Sequence, residues 1–363
     1  RTATSRNKLL YCAMIVTPPF TAAAAAAATA TTGFSLSPGG LLYPYHIGVL
    51  SNLEYHQKLT PQTPIAGSSA GAIAVASHAA QVKPEICLDT TIRICEECFR
   101  QGGARGRLLP LLEAELDAIL DENAHHIVNA RPGLTALAYY ELFPNTGPRL
   151  QSHFETRDDL TDAILNSSMF PFFSTNWPWR LAKKITSTAK DTDSILESKG
   201  IGTMLANFLP RIAMDGYFTV PFGRFGCPDF EMVKSSDRRR REPSFTENVL
   251  AMEDKVEDQL AANLAQAKDA NIDRTVTISV FPHDSVFMTA SSEHDRISPL
   301  FDEEDPIGQV QELLRCATQP LTHKEVHELY EKGLGDAERW VVEEGKRAKL
   351  RDELLRNEAR ATE

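Results

Sequence analysis

Ser69 lies between two glycines in the stretch GSSAG at 67–71, which follows a short apolar run and precedes an alanine-rich segment. The pattern G-x-S-x-G at a strand-to-helix turn presents a nucleophilic serine hydroxyl on a sharp turn. A serine hydroxyl is a poor nucleophile at neutral pH, so it needs a base within hydrogen-bond reach and donors that stabilise an oxyanion. The alternative is packing, because small residues also let a helix lie close to a sheet.

Two other short motifs supply the missing groups. Gly39 and Gly40 follow Pro38 at another strand-to-helix turn, and consecutive glycines leave backbone N–H groups free to point at an anion. Asp215 ends an apolar strand, where α/β folds place their ligands. Each motif alone is also typical of an ordinary turn. The three in this order favour hydrolysis by a nucleophilic serine.

The segments around these motifs alternate between strand and helix patterns. Apolar runs predict strands at 33–37, 63–67, 134–143, 211–215 and 274–281. Helical periodicity predicts helices at 45–59, 70–82, 84–100, 108–122, 157–170 and 250–269, and in the charged tail after about residue 305. This alternation favours an α/β domain with a mostly parallel sheet.

The composition narrows the class of protein. The chain has 363 residues, 42% of them hydrophobic, and a net charge of -11, which argues against a general nucleic-acid binder. Anionic lipid would not attract such a chain as a whole, so any membrane contact has to be local. Among the six cysteines, Cys95 and Cys98 form a lone C-x-x-C with no second pair and no histidine at ligand spacing. We therefore expect buried free thiols and no metal or other cofactor.

The motifs together resemble those of the patatin-like phospholipases, the family that includes the adiponutrin-type triacylglycerol lipases. The resemblance rests on SLSPGGLLYPYHIGVL, GSSAG and the later Asp-Gly, and extends to FETRDDLTDAILNSSMFPFFS and TVTISVFPHD. It covers roughly residues 33–300. It implies a three-layer α/β/α fold with a mostly parallel central sheet, and hydrolysis of a fatty acyl ester of a glycerolipid.

The resemblance also implies a role for each site residue. Ser69 would be the nucleophile of a Ser-Asp dyad, and Asp215, 146 positions later, its general base. Gly39 and Gly40, together with Leu41, would form the oxyanion hole. Triacylglycerol, phospholipid and galactolipid are the candidate substrates.

This chain departs from the family pattern at three places. Pro38 stands where the family usually has a further glycine, and proline has no N–H to donate. Tyr43 or Pro44 replaces a later glycine of the same loop, which would stiffen it. The dyad reads Asp-Gly-Tyr, so Tyr217 is expected close to the active site, as a substrate-binding residue. These departures bear on the oxyanion geometry and the substrate entrance.

Two other functions fit the same residues. An α/β-hydrolase would use a Ser-Asp-His triad, whose chain order Ser69, Asp215 and His283 can satisfy. A catalytically impaired member of the same fold would act as a lipid-binding or regulatory protein, because Pro38 removes a donor. Labelling of Ser69 by an organophosphonate would distinguish a live nucleophile from this binding role.

The two ends of the chain differ from its middle. Residues 1–32 are basic, rich in Ser, Thr and Ala, and free of acidic residues, as an organellar transit peptide is. A disordered leader is the alternative. A plastid or mitochondrion is therefore one expected location, and a membrane or lipid-droplet surface the other. Residues 33–300 are predicted to form the catalytic domain and residues 301–363 a helical extension that could hold a protein partner.

Two segments are candidates for contact with a lipid surface. Arg238–Arg241 form a basic run suited to anionic headgroups, or a solvated loop. The segment NWPWRLAKKI at 176–185 mixes aromatic and basic residues as interfacial segments do. It could equally pack on the domain as a cover.

Overall fold

The computed structural model describes residues 31–143, 146–182, 211–219, 224–228, 230, 272–283 and 292–361. The strands in these ranges are β1 (Thr31–Leu36), β2 (Ile65–Ser68), β3 (Thr135–Phe143), β4 (Gly147–Gln151), β5 (Arg180–Ala182), β6 (Arg211–Met214), β7 (Ile272–Ile278) and β8 (Arg296–Ile297). The α-helices are α1 (Tyr43–Tyr55), α2 (Ala70–Ala79), α3 (Pro84–Arg100), α4 (Leu108–Ile119), α5 (Ala124–Asn129), α6 (Arg157–Ser167), α7 (Pro306–Thr318) and α8 (His323–Ala361).

Most predicted elements are found close to their expected bounds. The predictions for the leader before residue 31, for Arg238–Arg241 and for a helix at 250–269 lie outside the described residues. Five of the six cysteines are described, and all five are buried free thiols, as expected. Among the described residues, no helix combines the length and the apolar character needed to cross a membrane.

All the described strands belong to one sheet. Its strands follow the order β5-β6-β3-β2-β1-β7-β8, and β4 also pairs with β3. The pairings of β1 with β2 and β7, of β2 with β3, and of β7 with β8 are parallel, whereas β4, β5 and β6 pair antiparallel. The predicted α/β class with a mostly parallel central sheet is confirmed.

Strand β3 is nine residues long and extends beyond β2, which has four. Strands β4 and β2 both pair with Leu137 and Ala138, so they occupy opposite edges of β3. Strands β4 and β6 both pair with Tyr140 and Glu141, so β6 lies on the same edge as β2. Strand β6 therefore pairs with the part of β3 that extends beyond β2. It runs antiparallel to β3 and ends close to the end of β2.

The eight described helices all contribute to one continuous apolar core with the sheet. A smaller cluster on the sheet contains Ala66, Ala136 and Phe230. Each of the parallel strands β1, β2 and β7 supplies fully buried aliphatic or aromatic residues to the main core, as strands covered by helices do.

Helix α8 crosses α1 at two facing glycines. A Cβ at Gly48 would overlap the carbonyl oxygen of Tyr330, and one at Gly333 would overlap that of Tyr45. The Tyr45 hydroxyl donates to Asp336 Oδ2 at 3.0 Å within this contact. The helices after residue 300 therefore pack closely on the rest of the molecule, and the domain boundary at that residue stays a prediction.

Candidate active site

Ser69 forms the turn between β2 and α2 and has φ 52° and ψ -122°, a conformation that is strained for a residue with a Cβ. Its N–H donates to Ser167 Oγ at 2.8 Å, and that hydroxyl donates to the carbonyl oxygen of Ala138 at 2.5 Å. Helix α6 and strand β3 thus hold the turn in place. Helix α2 begins at Ala70, directly after Ser69, so the partial positive charge of its N-terminus lies next to Ser69.

The two glycines around Ser69 are required by packing. A Cβ at Gly67 would overlap the carbonyl oxygen of Gly71, and a Cβ at Gly71 would lie 2.7 Å from the carbonyl oxygens of Leu36 and Ser37. The first turn of α2 therefore lies directly on the ends of β1 and β2. Packing explains both glycines, but it does not explain a serine at the strained position between them.

Asp215 follows β6 and is fully buried. Its Oδ1 accepts a hydrogen bond from the Tyr217 N–H at 2.8 Å. Its Oδ2 is buried and has no hydrogen-bond partner among the described residues. Loss of water raises the pKa of this carboxyl to about 7, although the Tyr217 N–H and the Ser69 hydroxyl lower it in part. The group can therefore gain and lose a proton near neutral pH.

Gly216 brings Asp215 against the Ser69 turn. A Cβ at Gly216 would lie 2.5 Å from Ser68 Cβ and would also overlap the carbonyl oxygen of Ala138. Only a glycine lets the chain after β6 approach the end of β2 so closely. The structure therefore brings together the two residues expected to form the dyad.

Gly39 and Gly40 lie between β1 and α1, and Gly40–Leu42 form a 3-10 turn. Gly40 has φ +56°, and a Cβ there would overlap the carbonyl oxygen of Ala317 in α7. Among the described residues, no hydrogen bond uses the N–H of Gly39 or Gly40. Both glycines line the cavity that also contains Ser69, so their N–H groups are available to an anion there.

His46 fixes the strand end before this turn. It is buried in α1, and its Nε2 donates to the carbonyl oxygen of Ser37 at 2.8 Å. Burial lowers the pKa of His46 to about 4, so the ring is neutral at pH 7. Tyr43 and Pro44, the residues expected to stiffen the loop after Gly40, form the first turn of α1. The Tyr43 hydroxyl donates to Ser77 Oγ at 3.3 Å.

A cavity of about 460 Å³ begins at Ser69. Its walls come from the Gly39–Gly40 turn, from α2, α3, α4 and α7, and from the segment after α6, and Leu41 and Tyr217 are among its lining residues. The lining side chains are apolar or carry only a hydroxyl group. No charged side chain of the described residues lines the cavity, which suits an uncharged apolar ligand.

His283 lies away from this cavity. All ten histidines fall within the described residues, and none lines the cavity. His283 is buried, its Nε2 lies 3.2 Å from Thr277 Oγ1, and burial lowers its pKa to about 3. The structure thus does not bring His283 to Ser69, and the Ser-Asp-His alternative has no support from the geometry.

Two parts of the site were missed by sequence analysis. Ser167, which accepts from the Ser69 N–H, was interpreted only as part of a helix end. Leu314, Ala317 and Thr318 of α7 line the cavity, although the tail was expected to be an extension. The apolar stripe of α7 was the available signal, but a stripe does not identify the surface it covers.

Comparison with known proteins adds one finding. A family model described as patatin-like phospholipase matches residues 34–222, just over half of the chain. The match begins in β1 and includes the Gly39–Gly40 turn, Ser69, Asp215 and Tyr217. Strand β7 and helices α7 and α8 come after it. No curated protein compared with the chain matches it.

Proposed function

We propose that this chain, which belongs to the patatin-like phospholipase family, is a serine acyl hydrolase that releases fatty acid from glycerolipid esters. The observation that carries the proposal is the strained Ser69 turn, placed against a buried carboxyl at one end of an uncharged cavity. The catalytic residues are Ser69 and Asp215. The oxyanion is held by the N–H groups of Gly39 and Gly40, with Leu41.

The reaction proceeds through an acyl-enzyme. Asp215 takes the proton of the Ser69 hydroxyl while Ser69 Oγ bonds to the ester carbonyl carbon. The tetrahedral oxyanion accepts hydrogen bonds from the glycine turn and lies near the N-terminus of α2. The C–O bond to the glycerolipid then breaks, and Asp215 protonates the leaving alcohol. Asp215 next takes a proton from the water that attacks the acyl carbonyl carbon, and it returns this proton to Ser69 Oγ as the bond from the acyl carbon to Oγ breaks and the fatty acid leaves.

The cavity suits the acyl part of the substrate. Burial of each methylene group contributes about 0.8 kcal/mol, so a long acyl chain gains on the order of 10 kcal/mol in an apolar cavity. A charged headgroup stays outside, because no charged side chain of the described residues lines the cavity to bind it. Triacylglycerol, phospholipid and galactolipid all present such an ester.

A lipid panel tests the proposal directly. Fatty-acid release is measured from triacylglycerol, phosphatidylcholine and galactolipid, beside labelling of Ser69 by an organophosphonate and mass spectrometry. Release together with a mass shift on the peptide that contains Ser69 is the expected result, and the best substrate names the class. Neither release nor labelling by a folded protein would favour the lipid-binding role. The observation that favours that role is Pro38, which supplies no N–H to the oxyanion.

The rate is expected to depend on the ionisation of Asp215. The general base must be ionised, and its pKa is raised to about 7 by burial. On a soluble short-chain ester, kcat/KM should therefore rise about tenfold per pH unit below pH 7 and level off above it. A profile measured from pH 5 to pH 9 checks this. A flat profile between pH 5.5 and pH 8 would contradict the assignment of Asp215 as the base.

Gly40→Ala is expected to damage both the fold and the rate. The new Cβ meets the Ala317 carbonyl oxygen and forces a residue with a side chain to φ +56°. Overpacking and strain together cost roughly 2–4 kcal/mol of unfolding free energy, and the shift of the backbone moves the Gly40 N–H away from the oxyanion, which lowers kcat about 10²-fold.

Gly102→Ala is the matched control for this change. Gly102 has φ +82°, but a Cβ there meets no atom within 4 Å. The control should cost about 1 kcal/mol of unfolding free energy and leave ester hydrolysis unchanged. Equal losses of rate in the two variants, measured with denaturant unfolding beside the kinetics, would show that Gly40 has no special part in the site.

Two partners are also proposed. The lipid ester substrate implies work at a membrane or lipid-droplet surface. A protein partner for the C-terminal helices stays a prediction, and it would contact exposed apolar residues of α8 such as Leu350, Leu354 and Leu355.

A further inference from the structure

A group of large aromatic side chains is exposed at one side of the molecule. Phe170, Phe172, Trp177, Trp179 and Phe218, called here the aromatic rim, are between 38% and 69% exposed. The rings of Phe170 and Phe218 lie 5.6 Å apart, and the rim continues along the chain from Phe170 to Trp179. Contiguous exposed apolar surface of this kind marks an interaction site.

Local hydrogen bonds keep the rim exposed. The Phe172 N–H donates to the carbonyl oxygen of Trp177 at 3.2 Å, and Arg105 Nε donates to the carbonyl oxygen of Phe172 at 3.1 Å. Phe172 also has φ 59°, in the left-handed region that residues with a side chain rarely adopt. The chain is thus held in a strained turn that points an aromatic residue into solvent.

The rim meets the opening of the cavity at Phe170. Phe170 lines the cavity and is also 39% exposed, so it stands at the boundary between the cavity and the solvent. Tyr217 lines the cavity as well, and its ring packs edge-on against Phe218 at 5.3 Å. An acyl chain that reaches Ser69 through this opening passes the aromatic rim.

Among the described residues of the predicted interfacial segment, the one basic side chain is not available in the same way. Arg180 turns inward, where its Nη1 lies 2.5 Å from Asp162 Oδ1 and 2.8 Å from Asn166 Oδ1. Lys183 and Lys184 lie outside the described residues. With a net charge of -11, the chain has no overall attraction to anionic headgroups. Among the described residues of this segment, the exposed groups that can supply affinity are therefore apolar: the rings of Trp177 and Trp179 and the side chain of Leu181.

Resting on the function proposed above, we propose that the aromatic rim docks on a phospholipid surface and holds the opening of the cavity against it. Tryptophan and phenylalanine suit the boundary between headgroups and acyl chains, because their rings are apolar and an indole N–H can still be hydrated. The contact lets an acyl chain move from the lipid layer into the cavity without crossing water. The affinity comes from apolar burial, so it should change little with salt.

The binding test uses protein that cannot consume its substrate. Ser69→Ala protein is mixed with phosphatidylcholine vesicles at 0.1 M and 0.5 M NaCl, and the bound fraction is measured by sedimentation. Adding Phe172→Ala and Trp177→Ala should lower the partition coefficient at least tenfold at both salt concentrations. Tyr55→Ala is the matched control, because Tyr55 is an aromatic residue that is 81% exposed at the end of α1.

A second measurement separates this proposal from the proposed function. With Ser69 intact, Phe172→Ala/Trp177→Ala should hydrolyse a soluble short-chain ester within twofold of the wild-type rate, because neither side chain lines the cavity. Its hydrolysis of vesicle lipid should fall at least tenfold. Absence of hydrolysis of either ester by the wild type would refute the hydrolase but leave the binding result standing.

Three outcomes would overturn docking by the rim. One is equal vesicle binding by the rim variant and the Tyr55→Ala control. Another is absence of vesicle binding by a protein that hydrolyses the soluble ester. The third is a rim-dependent self-association without vesicle binding, which would assign the rim to a second copy of the chain.

Discussion

Ser69→Ala is expected to lower fatty-acid release by roughly 10³-fold or more, because no acyl-enzyme can form without the hydroxyl. The fold should persist. Alanine keeps the Cβ and the backbone N–H that donates to Ser167 Oγ, so the turn retains its support. Fatty-acid release and thermal unfolding are the two measurements. Loss of folding in this variant would point to a packing role for the serine.

The adjacent serine provides the control. Ser68 Oγ donates to the carbonyl oxygen of Gly226, so it is committed to a buried hydrogen bond and does not line the cavity. Ser68→Ala should cost about 1 kcal/mol of unfolding free energy and reduce the rate less than tenfold. If the two serine variants lost the same activity, the GSSAG motif would not identify Ser69 as the nucleophile.

Asp215→Asn is expected to abolish activity and to stabilise the protein. An amide cannot accept the Ser69 proton, so the rate should fall as far as in Ser69→Ala. The stability change follows from the raised pKa, about 7 in the folded state against 3.8 for an ordinary aspartate. Because the pKa of Asp215 is higher in the folded state than in the unfolded state, the unfolding free energy of the wild type falls as pH rises from about 4 through about 7. Because asparagine does not ionise, the gain should grow over this range to about 4 kcal/mol at pH 8.

Denaturant unfolding at pH 5 and pH 8 checks the sign, with Asp162→Asn as the control. Asp162 is also buried, but its carboxylate pairs with Arg180. Removal of that charge leaves a largely buried guanidinium without its partner and should destabilise the protein. If Asp215→Asn instead lowered the unfolding free energy at pH 8, the ionised Asp215 carboxylate would stabilise the fold. That result would contradict a general base whose pKa is raised by burial.

The parts of the site that depend on local chemistry could be predicted from the sequence. The turn at Ser69 needs glycines at 67 and 71 because backbone lies against backbone, and that requirement is visible in the residue types. Asp215 could be named from its motif. Its position next to Ser69 could not be predicted, since it depends on how far β3 extends beyond β2 and on the antiparallel pairing of β6 with β3. Strand pairing of this kind is set by distant contacts.

The short elements and the far wall of the cavity escaped prediction for related reasons. Strands β4 and β5 have the sequences GPRLQ and RLA, which contain no apolar run that would predict a strand. Helix α6 ends at Ser167, three residues before the predicted end at 170, because the N–H of Phe170 bonds to Ser174 Oγ instead of continuing the helix. Helix α7 shows its apolar stripe in the sequence, but only the fold shows that the stripe faces the cavity.

The contact between Gly40 and Ala317 has a consequence for the timing of synthesis. Ser69, Gly40 and Asp215 leave the ribosome early, whereas the backbone against which Gly40 packs arrives with α7, 102 positions after Asp215. At about 5–20 residues per second, that interval is on the order of ten seconds. A nascent chain thus carries the proposed nucleophile and base for that time without the α7 wall of the cavity. If the proposed function holds, hydrolysis of lipid therefore has to wait until α7 has been synthesised and has packed against Gly40.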